Sequence, residues 1–163
     1  MVQKLKVTDE KYLRRCLELA QESVKAGDEA FGSVLVNDGG EIIAEARNRV
    51  QEKTILAHPE IDLAYWAAEN LSEKDRAKTT MYTTGEHCPM CAAAHGWVGI
   101  GTLVYLSSAK QLGEWQKEHH LPEAPIHFLP VEEITKNVEV RGPAEGELLD
   151  EIKKLHETVW VKE

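Results

Sequence analysis

The sequence predicts an α/β protein in which helices cover both faces of a mixed β-sheet. Helical and strand-like patterns follow one another in the order α-β-β-α-β-α-β-α-β-α. The first two strands flank Asn37-Asp38-Gly39-Gly40, a turn signal that typically joins antiparallel neighbours. The segment TLVYLSS, residues 102–108, is almost continuously apolar, which indicates a strand covered on both faces.

The chain is predicted to begin with an amphipathic helix. Thr8 is a suitable N-cap, acidic residues follow it, and Gly27 provides a stop after a helix that runs to about Ala26. Apolar residues recur at helical spacing at Tyr12, Leu13, Cys16, Leu17 and Ala20. This spacing predicts that Cys16 is a buried core thiol.

Strands and helices alternate through the middle of the chain. The predicted strands are residues 31–36, 41–46, 79–85 and 102–108. Residues 48–57 lack periodicity and are predicted to form a loop. One helix begins at His58 with a largely apolar pattern, and another covers residues 88–99. On these helices, we expect His95 and Trp97 to be core residues.

The last third is predicted to be mostly loop between two helices. Residues 109–119 fit a helix, and Glu145 to Trp160 fit a closing helix. Four prolines interrupt the stretch between these helices, at Pro122, Pro125, Pro130 and Pro143. Short strands are predicted there at residues 126–129 and 138–142.

Composition and charge limit the class of protein. The 163 residues suit one domain that spans residues 1–163, with 42% apolar and 29% charged residues. No apolar run approaches the ~20 residues of a membrane span, and the charged N-terminus lacks a signal core. We therefore expect a soluble cytoplasmic protein with no membrane segment. The net charge of −9 makes nucleic acid an unlikely partner, although a local basic groove can coexist with an acidic total.

The cysteines point to a metal or to redox chemistry. The chain has three, and Cys88 and Cys91 form a C-x-x-C pair. An odd number of cysteines that includes this pair favours a metal site or a redox pair over a disulfide framework.

Two motifs predict a zinc site with an acid beside it. His58-Pro59-Glu60 and Cys88-Pro89-Met90-Cys91 each open a predicted helix, and such helix starts meet at one edge of an α/β sheet. His58, Cys88 and Cys91 are the ligand types that zinc prefers, and three protein ligands leave a fourth position for water. Glu60 is then placed to face that water without binding the metal.

This arrangement suits hydrolytic deamination. Zinc lowers the pKa of bound water to about 7, and the hydroxide can attack the ring carbon of a C–NH₂ group. Glu60 would take the proton of the water, pass it to the ring nitrogen and protonate the leaving ammonia.

The two motifs together resemble the zinc signature of the cytidine deaminase superfamily. Glu60 and Cys88 are 28 positions apart, as this superfamily leads one to expect. The segments FGSVLV, Arg47-Asn48, MYTTGEHCPMCAAA and GWVGIGTLVYLSS are similar to its nucleobase branch, which includes cytosine and guanine deaminases. The C-terminal third matches least well.

The resemblance implies a fold, a cofactor and a set of substrate contacts. It implies a three-layer α/β/α sandwich with a mixed sheet of about five strands, and one Zn²⁺ per chain. It also implies that Asn48 hydrogen-bonds the substrate, that the backbone near Ala57 and Cys88 orients the substrate ring, and that Phe31 packs beside the pocket. Tyr65 and Trp66 lie on the predicted helix that begins at His58. Together with these two residues, the resemblance suggests a homodimer.

The chain departs from the family pattern at His87, where the family usually has proline. We expect His87 to be solvent-exposed or to support the site from behind the ligands, although it could contact substrate or fill the open metal position. Weaker candidates for closing the pocket are Glu114, Trp115, His119 and Trp160.

Three functions fit these observations. The first is a zinc hydrolase that deaminates a small heterocyclic base or nucleoside such as guanine, cytosine, isocytosine or an aminotriazine. The second applies the same chemistry to adenosine in tRNA, although the C-terminus lacks a strongly basic tail. The third is a structural-zinc or thiol-redox module without turnover, which leaves Glu60 unexplained.

Overall fold

A computed structural model describes residues 2–161 of the protein. Its strands are β1 (Val2–Gln3), β2 (Gly32–Val36), β3 (Ile42–Arg47), β4 (Thr80–Gly85), β5 (Thr102–Ser107) and β6 (Glu139–Arg141). Its α-helices are α1 (Glu10–Lys25), α2 (Pro59–Asn70), α3 (Glu73–Ala77), α4 (Pro89–Val98), α5 (Ala109–Glu118), α6 (Val131–Ile134) and α7 (Glu147–Trp160). A short 3₁₀ turn, Val7–Asp9, precedes α1.

The six strands form one mixed sheet in the order β1-β6-β5-β4-β2-β3. β2 is antiparallel to β3 and to β4, whereas β4, β5, β6 and β1 run parallel to their neighbours. The predicted hairpin is confirmed, with Gly32 opposite Arg47 at its open end. The sheet has one strand more than the expected five because Val2–Gln3 pairs with β6. Two residues give too short a pattern to be recognised in the sequence.

Helices cover both faces of the sheet, which confirms the three-layer α/β/α sandwich. On one face, α1 and α7 bury Leu13, Cys16 and Ile152 against Val34 and Val104. On the other face, α2, α4 and α6 bury apolar side chains against Leu35, Met81, Leu103 and Val140. Cys16 is fully buried, as predicted from its helical spacing. Burial of apolar surface contributes about 25 cal/mol per Å², so these two interfaces supply the main favourable contribution to folding.

Two local predictions are wrong. Residues 126–129 do not form a strand, because Pro125 and Pro130 flank them and cannot donate to a sheet ladder. Trp97 is 90% exposed rather than in the core. The buried positions of α4 are Cys91, Ala92 and His95, and a residue two positions after His95 falls on the opposite side of the helix.

None of the helices within residues 2–161 has both the length and the apolar character required to cross a membrane.

A buried ion pair ties the N-terminal segment to β6. The guanidinium of Arg141 donates to both carboxylate oxygens of Asp9 at 2.8 and 2.9 Å. The hydroxyl of Tyr82 and the backbone N–H of Lys6 also donate to this carboxylate. Burial by itself would raise the pKa of Asp9, but the hydrogen bonds, led by those from Arg141, outweigh burial and hold the pKa below its usual value.

Replacing Asp9 by Asn should lower the free energy of unfolding by up to about 3–5 kcal/mol, because the buried Arg141 then keeps only the partly exposed Glu139 as a countercharge. Because the pKa of Asp9 is lowered by folding, this stabilisation is complete above the unfolded value of about 3.9 and disappears as pH falls through the folded value. Urea unfolding of both proteins as a function of pH measures it.

The neighbouring substitution Glu10→Gln is the matched control. Glu10 pairs with Arg14 on the surface, with both side chains about half exposed, so its loss should cost less than about 1 kcal/mol. Equal effects of the two substitutions would contradict the importance of the buried pair.

Candidate active site

The metal-ligating motifs lie at the starts of two neighbouring helices. His58 is the N-cap of α2 and Cys88 is the N-cap of α4, and both have extended backbone conformations. Proline follows each of them at the first helical position, where its missing N–H costs nothing. Because α2 and α4 pack side by side on one face of the sheet, the two helix starts meet beyond the end of β4.

Three ligand atoms converge there with the spacing that zinc requires. The Nδ1 atom of His58 lies 3.6 Å from the Sγ atoms of both Cys88 and Cys91. Zinc–nitrogen bonds of about 2.1 Å and zinc–sulfur bonds of about 2.3 Å at tetrahedral angles place nitrogen and sulfur about 3.6 Å apart. The three residues therefore fit a zinc ion and leave its fourth position free of protein, since within residues 2–161 the cluster contains these ligands alone.

Backbone N–H groups and the imidazole stabilise negative charge on the sulfurs. The backbone N–H of Cys91 favours the thiolate of Cys88, and that of Ile61 favours the thiolate of Cys91. Hydrogen bonding from Cys91, together with His58, lowers the pKa of Cys88 to about 4, while the adjacent Cys88 raises the pKa of Cys91. Hydrogen bonding to Cys88 raises the pKa of His58 to about 9. Zinc binds deprotonated ligands, so zinc and protons compete for this cluster.

Glu60 lies beside the metal ligands in the first turn of α2. Its carboxylate is 5% exposed, and Oε2 lies 4.0 Å from the Cys91 sulfur. Thr83 of β4 donates to Oε1 at 3.2 Å, and Ser33 of β2 donates to Thr83 at 2.8 Å. Burial raises the pKa of Glu60 to about 7, with His58 acting in the opposite direction. A carboxylate with a pKa near the working pH suits proton transfer.

Asn48 is buried at the end of β3 with its side chain orientated by the backbone. Its Oδ1 accepts from the N–H of Val50 at 3.0 Å and from that of Glu29 at 3.4 Å. Its own N–H donates to the carbonyl of Phe31 at 3.0 Å. Within residues 2–161 no acceptor hydrogen-bonds Nδ2, so the amide retains donor capacity. This is the geometry that a substrate-binding amide needs, and its role stays a prediction.

The backbone groups near the metal differ in what they can offer a substrate. The N–H of Ala57 donates to Thr54 and its carbonyl accepts from Arg49, so both groups take part in a turn. The N–H of Cys88 has no acceptor within the described residues. Cys88 is therefore the better placed of the two to orient a substrate.

His87 is fully buried. The expectation that it is exposed to solvent is therefore wrong. His95 Nε2 can only donate to the carbonyl of Ile100, 3.1 Å away, so its Nδ1 is an acceptor. His87 Nε2 must then donate to His95 Nδ1, 3.0 Å away. The ring of His87 therefore supports α4 behind the ligands, and it is not part of the metal cluster within residues 2–161.

Aromatic rings from the C-terminal helices gather next to Phe31. We call them the C-terminal aromatic cluster: Phe31, Trp115, His119, His156 and Trp160. Phe31 also touches the end of β4, since a Cβ at Gly85 would lie 3.2 Å from its ring. The cluster thus includes the predicted residues Phe31, Trp115, His119 and Trp160. Glu114 is exposed on α5 and belongs neither to this cluster nor to the metal site.

Sequence reasoning missed Thr83, Ser33 and His156. Thr83 and Ser33 occur in ordinary strand patterns, and only the register that pairs them shows the connection to Glu60. His156 did carry a signal. It follows Leu148 and Ile152 at intervals of four on the buried face of α7, where an apolar residue is expected.

Residues 6–107 match the family model described as the cytidine and deoxycytidylate deaminase zinc-binding region. This match covers more than half of the chain and includes Glu60 and all three metal ligands. The chain belongs to this family. It is a zinc-dependent deaminase, and His58, Cys88 and Cys91 form its zinc site.

Family members with different substrates are similar to the chain. A probable cytosine deaminase of Schizosaccharomyces pombe is 28% identical over 134 residues, which cover 81% of this chain and 82% of that protein. A tRNA-specific adenosine deaminase of Haemophilus influenzae is 34% identical over 113 residues, covering 69% and 65%. A solved structure of guanine deaminase from Nitrosomonas europaea covers 98% of this chain and 87% of its own, with a TM-score of 0.67 and 19% identity, and supports the fold.

Replacing Cys91 by Ser should reduce bound zinc from about one per chain to a small fraction, because a hydroxyl is a poor substitute for thiolate at a tetrahedral site. Metal analysis of the purified protein measures this. Cys16→Ser is the matched control, since Cys16 is buried in the other core layer and should leave the zinc content unchanged. Equal zinc content in the wild-type, Cys91→Ser and Cys16→Ser proteins would contradict the ligand assignment.

Proposed function

We propose that the protein hydrolytically deaminates a small heterocyclic base or nucleoside of the guanine, cytosine, isocytosine or aminotriazine type. The observation that carries this proposal is the buried Glu60 carboxylate, 4.0 Å from the sulfur of Cys91, which is one of the three residues that would hold zinc. A structural-zinc or thiol-redox module has no use for a buried acid in this position.

In the proposed reaction, Glu60 moves every proton. A zinc ion held by His58, Cys88 and Cys91 would act as a Lewis acid and lower the pKa of a water molecule. Glu60 accepts a proton from the attacking water, whose oxygen bonds to the ring carbon bearing the amino group, and donates that proton to the adjacent ring nitrogen. It then transfers the second proton of the water to the amino group as the C–N bond breaks, which leaves a carbonyl and ammonia.

Fixed polar groups are proposed to hold the substrate for this attack. The Nδ2 of Asn48 can donate to a ring oxygen or nitrogen, since its Oδ1 is already engaged by Val50 and Glu29. The N–H of Cys88 is a second donor. Phe31 offers an apolar face at the end of β4. Orientation by groups that are already fixed reduces the entropy cost of reaching the transition state.

Charge and the C-terminal region support a small substrate. The net charge of −9 disfavours a phosphate backbone. The S. pombe relative, a probable cytosine deaminase, aligns with 81% of the chain, compared with 69% for the H. influenzae relative. The aromatic rings brought together by α5 and α7 suit a flat free heterocycle.

Deamination of adenosine in tRNA is the second candidate. The H. influenzae tRNA-specific adenosine deaminase favours it, because its identity of 34% exceeds the 28% of the S. pombe relative. Gel-shift binding to tRNA that weakens steeply with salt, together with inosine formation, would support this candidate over a free base.

Replacing Glu60 by Gln should keep about one zinc per chain while ammonia release falls by about two to four orders of magnitude, as expected for loss of a general acid–base. A screen of aminopurines, aminopyrimidines, their nucleosides and aminotriazines identifies the substrate for this assay. Asp62→Asn is the matched control, because Asp62 lies exposed in the same helical turn and should not affect turnover.

Normal turnover by the Glu60→Gln protein would contradict the mechanism. A wild-type protein without zinc, whose Cys88 and Cys91 cycle through a disulfide, would favour the redox alternative.

A homodimer is proposed to form on the outer face of the two metal-binding helices. Tyr65 on α2 is 66% exposed and Trp97 on α4 is 90% exposed, although large aromatic residues are usually covered. Replacing Trp97 by Lys should shift the molar mass in sedimentation equilibrium from dimer to monomer. Val7→Lys is the control, since Val7 is equally exposed on another part of the chain. A wild-type protein that sediments as a monomer would contradict the dimer.

A further inference from the structure

His156 is buried in α7 without a hydrogen-bond partner for its Nε2. The side chain is 2% exposed, and no donor or acceptor within residues 2–161 satisfies this nitrogen. An unsatisfied buried polar group typically destabilises a protein by about 1–3 kcal/mol. Such a group in a native structure needs a reason, and a ligand is one.

An apolar residue at position 156 would avoid this destabilisation. Leu148, Ile152 and His156 are the buried residues of α7 and follow one another at intervals of four. Phenylalanine or leucine would continue this apolar face and would leave no polar atom unsatisfied. Packing therefore gives no reason for a histidine here.

The surroundings of His156 suit a flat ring with polar edges. Trp160 stacks on the imidazole with an interplanar angle of 13° and a centroid distance of 5.3 Å. Phe31 lies 5.0 Å away on a tilted plane, and Trp115 lies 6.3 Å away. Burial lowers the pKa of His156 to about 4, so the imidazole is neutral and presents one donor and one acceptor.

Phe31 connects His156 to the proposed active site. Its ring touches both His156 and the Gly85 position, and Gly85 ends β4 three residues before the zinc ligand Cys88. Its carbonyl accepts the N–H of Asn48. Trp160, on the other side of the imidazole, is half-buried in the last turn of α7. Terminal turns open at small free-energy cost, so a shift of Trp160 can expose the imidazole to a ligand.

We propose that His156 is a specificity-determining residue that hydrogen-bonds the polar edge of a heterocycle that packs beside Phe31 when Trp160 shifts away from the imidazole. This proposal rests on the proposed function and adds the group that recognises the substrate edge away from the reacting carbon. The chemical class of ligand is a planar nitrogen heterocycle with a carbonyl, ring N–H or ring nitrogen on that edge.

The test compares His156→Phe and His156→Asn in the zinc-loaded full chain. His156→Phe should reduce kcat/KM by about ten-fold or more, mainly through KM, because one hydrogen bond to substrate is lost. Its urea midpoint should stay the same or rise, because an unsatisfied buried group is removed. His156→Asn, which can still donate and accept, should recover part of the affinity.

His95→Phe is the matched stability control. His95 is also fully buried, but it is hydrogen-bonded to His87 and Ile100, so its replacement should lower the urea midpoint. A kcat/KM for His156→Phe within two-fold of wild type would overturn the proposal. A midpoint that falls as it does for His95→Phe, or loss of cooperative unfolding, would also overturn it by assigning His156 to packing.

Binding without turnover separates this proposal from the proposed function. The same heterocycles are added to the Glu60→Gln protein, with and without His156→Phe, and the thermal shift is measured. Stabilisation that requires His156, in a wild-type protein that releases no ammonia, would support His156 while contradicting the deaminase. Ammonia release by the wild-type protein, with equal stabilisation of Glu60→Gln whether or not His156 is also replaced, would support the deaminase and contradict the role of His156. Absence of any stabilisation would also overturn the role of His156.

Discussion

The site depends on the meeting of two helix N-termini that are distant in the chain. One brings the imidazole of His58 and the other brings the sulfurs of Cys88 and Cys91, with nitrogen–sulfur distances of 3.6 Å. The sheet enforces this meeting, because β4 leads directly into α4 while α2 packs beside it on the same face. The prolines that follow His58 and Cys88 fix where each helix begins, and so where each ligand points.

Buried hydrogen bonds behind the ligands hold this arrangement. Ser33 and Thr83, paired across β2 and β4, orient the Glu60 carboxylate from the sheet side. His87 and His95 form a second chain that ends at the carbonyl of Ile100 and anchors the other metal-binding helix. The first chain restricts the Glu60 carboxylate and the second restricts α4, so both limit the motion of the groups around the metal ligands. His87 shows that a residue beside a metal ligand can serve the helix rather than the metal.

Helices α5 and α7 lie outside the residues that match the family model. The family match ends at residue 107, whereas α5 and α7 supply most of the aromatic rings next to Phe31. Within this cluster, the buried and unsatisfied imidazole of His156 is the group that packing explains least.

The sequence by itself determined the hairpin, the metal-binding helices and the ligand set, because each depends on local signals such as Asn37–Gly40 and the two proline-marked helix starts. It also determined that Cys16 is a core residue, through its helical spacing. Only the tertiary structure decided that Val2–Gln3 adds a sixth strand, that Thr83 holds Glu60, and that Trp97 is exposed while His87 is buried. These outcomes depend on strand register and on which side of a helix faces the sheet, and contacts between distant segments set both.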